Sequence, residues 1–336
     1  MLANNAFGID LGTRTIKIYS AHSDTVTVEK NMIAIENKKN LFAYGDSALE
    51  MFEKAPSNIE ISYPLCNGVI ADIKNMQLLL RNFIMDCNKG VIKPAEFYMA
   101  VPSDITDVEK RAFFDLVKDA NIKAKKIMRV EKAVADGLGL DIDVKNAQGI
   151  LVVNVGFHTT EISILSLGGI VLSKLIKIGG QKFDESIKNA IRKEYSLIVG
   201  NKTAESVKIS LKELEEAGKG AIVYGRDIVT GLPMEKEIPT DLVSESMLEN
   251  FNVIIDNIRV ILERTPPELS ADIFRRGIYL TGGASQVNHL AELLAKGTGL
   301  KVNVSENPVS GVALGLAKII KDDNYKSVAY LEGMSR

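Results

Sequence analysis

The chain has 336 residues, more than a single hydrophobic core usually supports, so its length predicts two domains. Hydrophobic residues make up 46% and charged residues 25%, and a net charge of -2 argues against nucleic acid as a partner. Two cysteines, three histidines without metal-ligand spacing, no signal-peptide pattern and no run of about 18 apolar residues predict a cytoplasmic protein whose membrane contact is peripheral.

The first predicted element is the strand–turn–strand unit FGIDLGTRTIKIY at residues 7–19. Gly12 lets the backbone approach an anion without a Cβ in the way, and Thr13 and Thr15 add hydroxyl donors. Asp10 ends the entering strand, where a carboxylate would hold Mg²⁺ through the waters that this ion retains. The pattern therefore predicts half of a phosphate and magnesium site, although a strand that simply ends in a turn also explains a single copy.

Two strands and a helix follow in the first half of the chain. The alternating segment TVTVEKNMIAI at residues 25–35 and the apolar segment FYMAVP at residues 97–102 predict the strands. Thr106 and Glu109 form a T-x-x-E capping box, which predicts that a helix begins after Thr106. Strands that alternate with helices indicate an α/β sheet with helices packed against it.

The stretch LVVNVGFHTTEISIL, at residues 151–165, repeats the first hairpin. Four pairs of residues align at the same offset of 144 positions: Asp10 with Asn154, Gly12 with Gly156, Thr15 with Thr159, and Ile18 with Ile162. A strand candidate, GGIVLSKLIKIGG at residues 168–180, follows the second hairpin as one follows the first. Self-similarity at a fixed offset predicts a duplicated α/β unit with a ligand between the copies, although two glycine-centred hairpins can also match by chance.

A third glycine-rich turn, LTGGAS, lies at residues 280–285. A base or a ribose could lie against Gly282 and Gly283, since neither residue has a Cβ to hold it away. The elements predicted around this turn are a strand at 277–283, a helix from about Gln286, a strand at 301–304 and a helix led by Pro308.

These motifs resemble a known superfamily. FGIDLGTRT, NVGFHTTE and LTGGAS resemble the two phosphate loops and the adenosine loop of actin, which DnaK-type chaperones and sugar kinases share. The similarity to MreB, the bacterial actin family, is closer and covers nearly all of the chain in order. It includes NGVIADI (67–73), VPSDITDVEKRA (101–112), EISILSLGGIV (161–171), GRDIVTGLP (225–233), LERTPPELSADI (262–273) and VALGLAKII (312–320).

The resemblance implies an actin-like ATPase fold with duplicated RNase-H-like domains and a nucleotide cleft between them. The implied divisions are a first lobe at 1–145 and 310–336, with a small subdomain at about 33–70, and a second lobe at 146–309, with a small subdomain at about 181–244. ATP or ADP with Mg²⁺ would occupy the cleft. Protomers would add head to tail, a contact that does not close and so gives open filaments, expected to be paired. Such filaments would lie on the inner membrane face and organise cell shape.

The resemblance also implies site residues. Glu131 and Thr159 match the glutamate and the threonine that hold the attacking water, although Glu131 could instead only cap the following helix. Glu205 and Lys208 match residues near the ribose, and a surface helical pair is the alternative. The implied nucleotide-binding residues are Gly12, Thr13, Arg14, Thr15, Gly156, Phe157, His158, Thr159, Glu205, Lys208, Gly282, Gly283 and Ala284. The implied metal residues are Asp10, through water, and Asn154, weakly.

The sequence departs from the family pattern at five places in this site. The departures are Asn154 for aspartate, Gly156-Phe157-His158 for three glycines, Lys132 for proline after Glu131, Arg14-Thr15-Ile16 for Ala-Asn-Thr, and Ala284 for a third glycine. Phe157 and His158 are expected to pack at the rim of the cleft, without a catalytic part for His158. Lys132 is expected to be exposed to solvent, or to pair with Glu131.

Asn154 bears most directly on catalysis. An amide can bond a metal-bound water, but it has no negative charge and cannot accept a proton. Hydrogen bonds with a charged partner exceed neutral ones by about 1–2 kcal/mol, which is roughly a tenfold effect. We therefore expect nucleotide binding to persist and ATP hydrolysis to be slow, with faster turnover in Asn154→Asp.

The segment NKGVIKPAEF holds Val91 and Ile92 between Lys89 and Lys93. A family loop in this place carries an apolar pair that enters the bilayer, and the alternative is a turn tucked in before a strand. Two partly buried aliphatic side chains contribute about 3 kcal/mol of membrane-binding free energy, and each lysine near anionic lipid contributes about 1 kcal/mol. This is weak for one protomer but is enough for membrane binding when a filament presents many copies.

The functional expectation is a nucleotide-dependent, membrane-associated filament with weak ATPase activity. Its partners would be other copies of the chain, the inner membrane surface, and other MreB paralogues or membrane proteins. Three alternatives stay open: a small-molecule kinase, for which no general base or acceptor pocket is found; a chaperone, for which no separate substrate domain is found; and a filament scaffold that binds ATP without turnover.

Overall fold

A computed structural model describes residues 5–331, so residues 1–4, and residues 332–336 of the predicted first lobe, lie outside the description. The first half contains β1 (Ala6–Leu11), β2 (Thr15–Ser20), β3 (Thr25–Lys30), β4 (Ile33–Glu36), β5 (Asn40–Tyr44), α1 (Asp46–Met51), β6 (Ile59–Ser62), β7 (Leu65–Cys66), β8 (Val69–Ile70), α2 (Ile73–Cys87), β9 (Ala95–Val101), α3 (Asp107–Asp119), β10 (Ala124–Glu131) and α4 (Lys132–Gly139).

The second half has the same alternation of strands and helices. It contains β11 (Ile150–Val155), β12 (Thr160–Ser166), β13 (Gly169–Ile176), α5 (Gly180–Tyr195), β14 (Leu197–Ile198), α6 (Asn201–Ala217), β15 (Ala221–Asp227), β16 (Pro233–Ile238), α7 (Thr240–Glu263), α8 (Pro267–Arg276), β17 (Ile278–Thr281), α9 (Leu290–Thr298), β18 (Val302–Val304), α10 (Gly311–Lys321) and β19 (Ala329–Leu331). Short 3₁₀ turns occupy Gly283–Gln286 and Asp323–Val328.

Two large sheets carry the fold, and they are built alike. The first has the strand order β19-β10-β9-β1-β2-β3 and the second β13-β12-β11-β17-β18. In each sheet the hairpin of the repeated motif is antiparallel, and its entering strand also pairs in parallel with a later strand. The α/β prediction is therefore confirmed, and the repeat is visible in the strand pairing as well as in the sequence.

The register repeats as well. Asp10 on β1 lies opposite Lys17 on β2, and Asn154 on β11 lies opposite Glu161 on β12. Both pairs keep the offset of 144 residues. Asp10 and Asn154, each one residue before the end of its entering strand, therefore face equivalent positions on the returning strands. The residues at those positions, Lys17 and Glu161, have opposite charges.

Two three-stranded sheets are separate from the large ones, with strand orders β5-β4-β6 and β14-β15-β16, and β7 and β8 form a two-stranded sheet. They fall within the ranges 33–70 and 181–244 given for the small subdomains. The exact boundaries of both lobes and both subdomains stay predictions.

Three local predictions need correction and one is confirmed. The segment at 25–35 is two strands in different sheets, since β3 joins the first large sheet and β4 a small one. The helix expected from Gln286 begins at Leu290, after a 3₁₀ turn and a left-handed His289 with φ of 67°. The helix expected after Pro308 begins at Gly311. The capping box of Thr106 and Glu109 is present in both directions at the start of α3.

The cores of the two large sheets meet at the crossing of α4 and α10. A buried cluster joins side chains from the first sheet, from the second sheet and from both helices. Glycines allow the helices to approach: a Cβ on Gly315 would lie 1.7 Å from the carbonyl oxygen of Ala135, and one on Gly139 would lie 1.9 Å from that of Gly311. The crossing holds the two sheets, and the turns at their strand ends, in a fixed relation.

Candidate functional site

A cavity of about 570 Å³ opens where the turns of both hairpins meet the third glycine-rich turn. Most of the predicted site residues line it: Asp10, Gly12, Thr13, Arg14, Thr15, Asn154, Gly156, Phe157, His158, Thr159, Glu205, Lys208, Gly282, Gly283 and Ala284. The structure thus brings together residues that are up to 274 positions apart in the chain. Glu131, Val91 and Ile92 lie elsewhere.

Both hairpin turns close in the same way. The amide of Gly12 donates to the carbonyl of Thr15 at 3.1 Å, and that of Gly156 donates to the carbonyl of Thr159 at 2.8 Å. A Cβ on Gly12 would lie 2.7 Å from the Thr15 oxygen, so this turn needs glycine. Tight turns of this kind expose backbone N–H groups at a concave surface, which suits an anion.

Asp10 is the buried acid of the first hairpin, 2% exposed. Its Oδ2 lies 3.2 Å from Lys17 Nζ and its Oδ1 3.6 Å from Lys132 Nζ. Burial would raise the pKa of Asp10, but the two ammonium groups outweigh it and hold this pKa below its usual value. Oδ1 accepts no hydrogen bond from residues 5–331. An ionised carboxylate with one oxygen that accepts no hydrogen bond fits a hydrated magnesium ion.

Lys132 is not the exposed residue that the sequence predicts. Its side chain is 19% exposed and turns into the cavity toward Asp10, not toward Glu131. Burial alone would lower the pKa of Lys132, but the carboxylates of Asp10 and Glu161 raise it. Lys132 is largely buried because it is the first residue of α4, and this helix lies in the space between the two large sheets. Lys17 also lines the cavity and was missed, although it interrupts the apolar pattern of β2.

Asn154 is paired with a carboxylate that the sequence analysis missed. Its Nδ2 donates to Oδ2 of Asp136 at 2.6 Å, and Thr281 Oγ1 donates to Oδ1 of Asp136 at 3.2 Å. Asp136 is fully buried in α4. Burial raises the pKa of Asp136 to about 6, and the bond from Asn154 and the charge of Lys132 oppose that rise.

Glu131 does not reach the large cavity. It lines a smaller one of about 320 Å³, and its carboxylate accepts from Ser103 Oγ at 2.8 Å and from the hydroxyl of Tyr330. Glu131 stands at the N-terminal boundary of α4, but its side chain does not cap the helix. Its contacts place it outside the large cavity, and its water-holding role stays a prediction.

Glu161, a second glutamate near Glu131, does line the large cavity. Its Oε1 accepts from the backbone N–H of Ser103 at 3.1 Å, so Ser103 bridges the carboxylates of Glu161 and Glu131. Burial raises the pKa of Glu161 to about 7, against the opposing charge of Lys132. The register opposite Asn154 was the signal that could have found this residue.

Comparison with known proteins identifies the family. The MreB/Mbl protein family model matches residues 4–327. This chain belongs to the MreB/Mbl family. The cell shape-determining protein Mbl of Bacillus subtilis is 37% identical over 312 residues, which cover 92% of this chain and 93% of that protein.

Two solved structures of MreB5 of Spiroplasma citri share the fold. The structure bound to ADP has a TM-score of 0.88 and 32% identity, and covers 97% of this chain and 98% of that one. The structure bound to AMPPNP has a TM-score of 0.89 and 31% identity, with coverage of 98% and 99%. The actin-like fold predicted from the motifs is confirmed.

Three of the large side chains by which this MreB/Mbl chain departs from the family pattern, Arg14, Phe157 and His158, lie together. Arg14 donates to the hydroxyl of Tyr63 and to Glu205, both at 2.5 Å, and its guanidinium lies 5.2 Å from the centre of the Phe157 ring. Phe157 stacks on His158 at 5.0 Å between ring centres. Both rings thus pack at the cleft, as expected, and a charged and aromatic cluster links the two halves of the chain across it.

The remaining contacts concern His158 and Lys208. The Nδ1 atom of His158 accepts from the backbone N–H of Asn67 at 3.2 Å, and burial lowers the pKa of His158, which favours the neutral ring. Lys208 is buried and lies 2.7 Å from Asp184, so it does not form the surface pair with Glu205 that was the alternative prediction. The absence of a catalytic part for His158 stays a prediction.

Val91 and Ile92 lie in the loop between α2 and β9. Val91 is 55% exposed, and Lys89 and Lys93 on either side are exposed as well. The tucked-in turn is therefore wrong for Val91, and entry into a membrane stays a prediction. Over the described part of the chain, residues 5–331, none of the helices is both long enough and apolar enough to cross a bilayer.

Proposed function

We propose that this chain binds ATP with Mg²⁺ in the cavity, assembles head to tail into paired filaments and hydrolyses ATP slowly. The filaments would lie in the cytoplasm against the inner membrane and serve cell shape or a related filament-driven process. The observation that carries the proposal is the cavity lined by both hairpin turns and by the third glycine-rich turn. Support comes from the MreB5 structures, which hold ADP and AMPPNP.

The residues present fit a magnesium nucleotide. The turns at Gly12 and Gly156 would receive the phosphates, and Lys17 would add positive charge beside them. Asp10 would hold the ion through water, with Asn154 beside it. The third turn, at Gly282, Gly283 and Ala284, would face the adenosine. Glu205 and Lys208 would lie near its ribose. The bound ion would offset phosphate charge and polarise the transferred phosphoryl group.

Hydrolysis is proposed to use Thr159 and two linked carboxylates. Thr159 lines the cavity beside the Gly156 turn, so its hydroxyl can orient a water there. Glu161 is the carboxylate at the cavity, and Glu131 would act on it through Ser103. Because the pKa of Glu161 is raised to about 7, it can take a proton from water more readily than an ordinary carboxylate can.

Nucleotide binding and assembly can be tested together. ATP with magnesium at a hundred times its Kd is expected to raise the free energy of unfolding by about 2.7 kcal/mol, because only the folded chain has the cavity. Light scattering should then rise with ATP and with a non-hydrolysable analogue, while phosphate is released slowly and only from ATP. A chain that shows no thermal shift with magnesium and millimolar ATP would contradict the proposal.

A filament scaffold without turnover is the second candidate. Two observations favour it: Asn154 replaces an aspartate, and Glu131 is tied to Ser103 and Tyr330 outside the large cavity. The same experiment separates the two functions. Scattering that rises with ATP while phosphate release stays at the level of the buffer would select the scaffold.

Membrane contact is predicted for the loop that carries Val91 and Ile92. Val91→Asp/Ile92→Asp should reduce the pelleting of assembled protein with anionic liposomes about tenfold or more, because it replaces about 3 kcal/mol of apolar burial per protomer by charge repulsion. Val108→Asp, at an 81% exposed position on α3, controls for the replacement of an exposed valine by aspartate away from this loop. Undiminished pelleting of a double variant that still polymerises would remove this part of the proposal.

A further inference from the structure

Asp136 is a buried carboxylate whose two hydrogen-bond donors are both uncharged. Its neighbours along α4, from Ala133 to Leu138, are small or apolar and buried. The two groups that donate to it, the Asn154 amide and the Thr281 hydroxyl, are both neutral. A buried carboxylate held by neutral donors is costly compared with an apolar side chain of similar size. A residue kept at such a cost is a candidate for a role in the site.

The position of Asp136 relative to Asn154 indicates that role. The carboxylate lies one hydrogen bond, 2.6 Å, from the amide nitrogen of the residue that replaces the family's aspartate. Asn154 lines the cavity and Asp136 does not. The negative charge absent from position 154 is therefore still present in the molecule, one layer further from the cavity.

We propose that Asp136 is a positioning residue that makes Asn154 act as an acceptor toward the hydrated magnesium ion. An amide carries a donor at one end and an acceptor at the other, and either end can face the ion. Because Asp136 binds the NH₂ end, the oxygen of Asn154 is left for the cavity. The pair then presents an oxygen backed by a negative charge, as a single aspartate would. This inference rests on the proposed binding of magnesium nucleotide.

The pair changes the expectation for Asn154→Asp. That substitution alone places two carboxylates at hydrogen-bond distance in a buried site, where they cannot both be ionised without strong repulsion. The faster turnover that the sequence predicts for Asn154→Asp therefore requires a second change, at Asp136. The exchange D136N/N154D should keep one carboxylate and one amide in contact, with the carboxylate at the cavity.

The test compares D136N, N154D and D136N/N154D with the wild type in two measurements. The first is the ATP dissociation constant with magnesium and with EDTA, and the second is the Tm of the nucleotide-free protein. D136N should reduce the magnesium-dependent gain in affinity about tenfold and leave the affinity in EDTA within twofold. N154D should lower Tm at pH 7.5. D136N/N154D should recover both the magnesium-dependent gain in affinity and the Tm of the wild type. D119N, at an exposed position on α3, controls for the loss of one charge and should change neither.

Several outcomes decide against the inference. If D136N keeps the magnesium-dependent gain in ATP affinity of the wild type, the inference is wrong, although the proposed function stands. The inference is also wrong if the losses in D136N and N154D simply add in D136N/N154D. A wild type without ATP affinity overturns the proposed function and this inference with it. If D136N does not fold, the exchange variant decides: recovery of folding and of the magnesium response supports the pair, and failure of either one overturns it.

Discussion

We expect Gly315→Ala to lower the free energy of unfolding by about 3 kcal/mol or more. A Cβ at this position would lie 1.7 Å from the carbonyl oxygen of Ala135 and 3.0 Å from the amide nitrogen of Gly139. Overpacking usually costs about 1–3 kcal/mol because side chains can shift, but both of these atoms belong to the backbone of α4. The two helices would have to separate as rigid bodies.

The separation would reach the site as well as the core. Gly311 lies one turn before Gly315 on α10, and a Cβ added to it would lie 2.7 Å from Oδ1 of Asp136. Movement of α10 against α4 therefore disturbs the residue that holds Asn154. We expect weaker nucleotide binding in any Gly315→Ala protein that folds.

Urea unfolding followed by circular dichroism measures the stability change. Gly283→Ala is the matched control, because the nearest heavy atom to its added Cβ is Val309 Cγ2 at 4.0 Å and its backbone has no positive φ. The control should unfold within about 1 kcal/mol of the wild type, since an added methyl in open space changes little. A Gly315→Ala protein as stable as the control would show that α4 and α10 are not in close contact.

The sequence predicts the hairpin turns well because their determinants are local. Gly12 and Thr15 close one turn between themselves, as Gly156 and Thr159 close the other. The same local chemistry in two copies also identifies the duplication. The capping box at Thr106 succeeds for the same reason, since both of its partners lie within one helical turn.

The residues that were missed depend on long-range packing. Asp136 meets Asn154 and Thr281, which are 18 and 145 residues away, only because α4 enters between the two sheets. No local pattern specifies which way the first residues of such a helix point, so Lys132 was wrongly placed in solvent. A carboxylate within a run of small apolar residues was the available signal for Asp136.

The second large effect is expected from pH. The nucleotide-free protein should lose stability as the pH rises from about 5 to 8, and Glu161 should account for about 3 kcal/mol of the loss. Burial raises the pKa of Glu161 from 4.5 to about 7, although Lys132 and the N–H of Ser103 oppose it. Between these values the unfolded chain releases a proton that the folded chain retains, so the free energy of unfolding falls with pH.

Other buried acids also change the free energy of unfolding at the lower end of the range from pH 5 to 8, and below it. Burial also raises the pKa of Asp136 and that of Asp184 to about 6, so both act in the same direction at its lower end. Asp10 has a lowered pKa and acts in the opposite direction, but only below about pH 4, where the unfolded chain takes up the proton first. The part of the loss between pH 6 and 8 therefore belongs mainly to Glu161.

Glu161→Gln isolates that part, because glutamine has the shape and hydrogen-bonding capacity of the protonated acid but does not ionise. Urea midpoints at pH 5, 6, 7 and 8 should decline less in this variant than in the wild type, with most of the difference arising between pH 5 and 7, the interval between the unfolded and folded pKa values of Glu161. Glu263→Gln is the control, since Glu263 is exposed on α7 and water solvates its carboxylate in both states. A wild type whose stability declines no more steeply from pH 5 to 8 than that of Glu161→Gln would mean that Glu161 ionises in the folded chain over the same pH range as in the unfolded chain. It would then be no better a proton acceptor than a surface carboxylate, and its proposed part in hydrolysis would fail with the prediction.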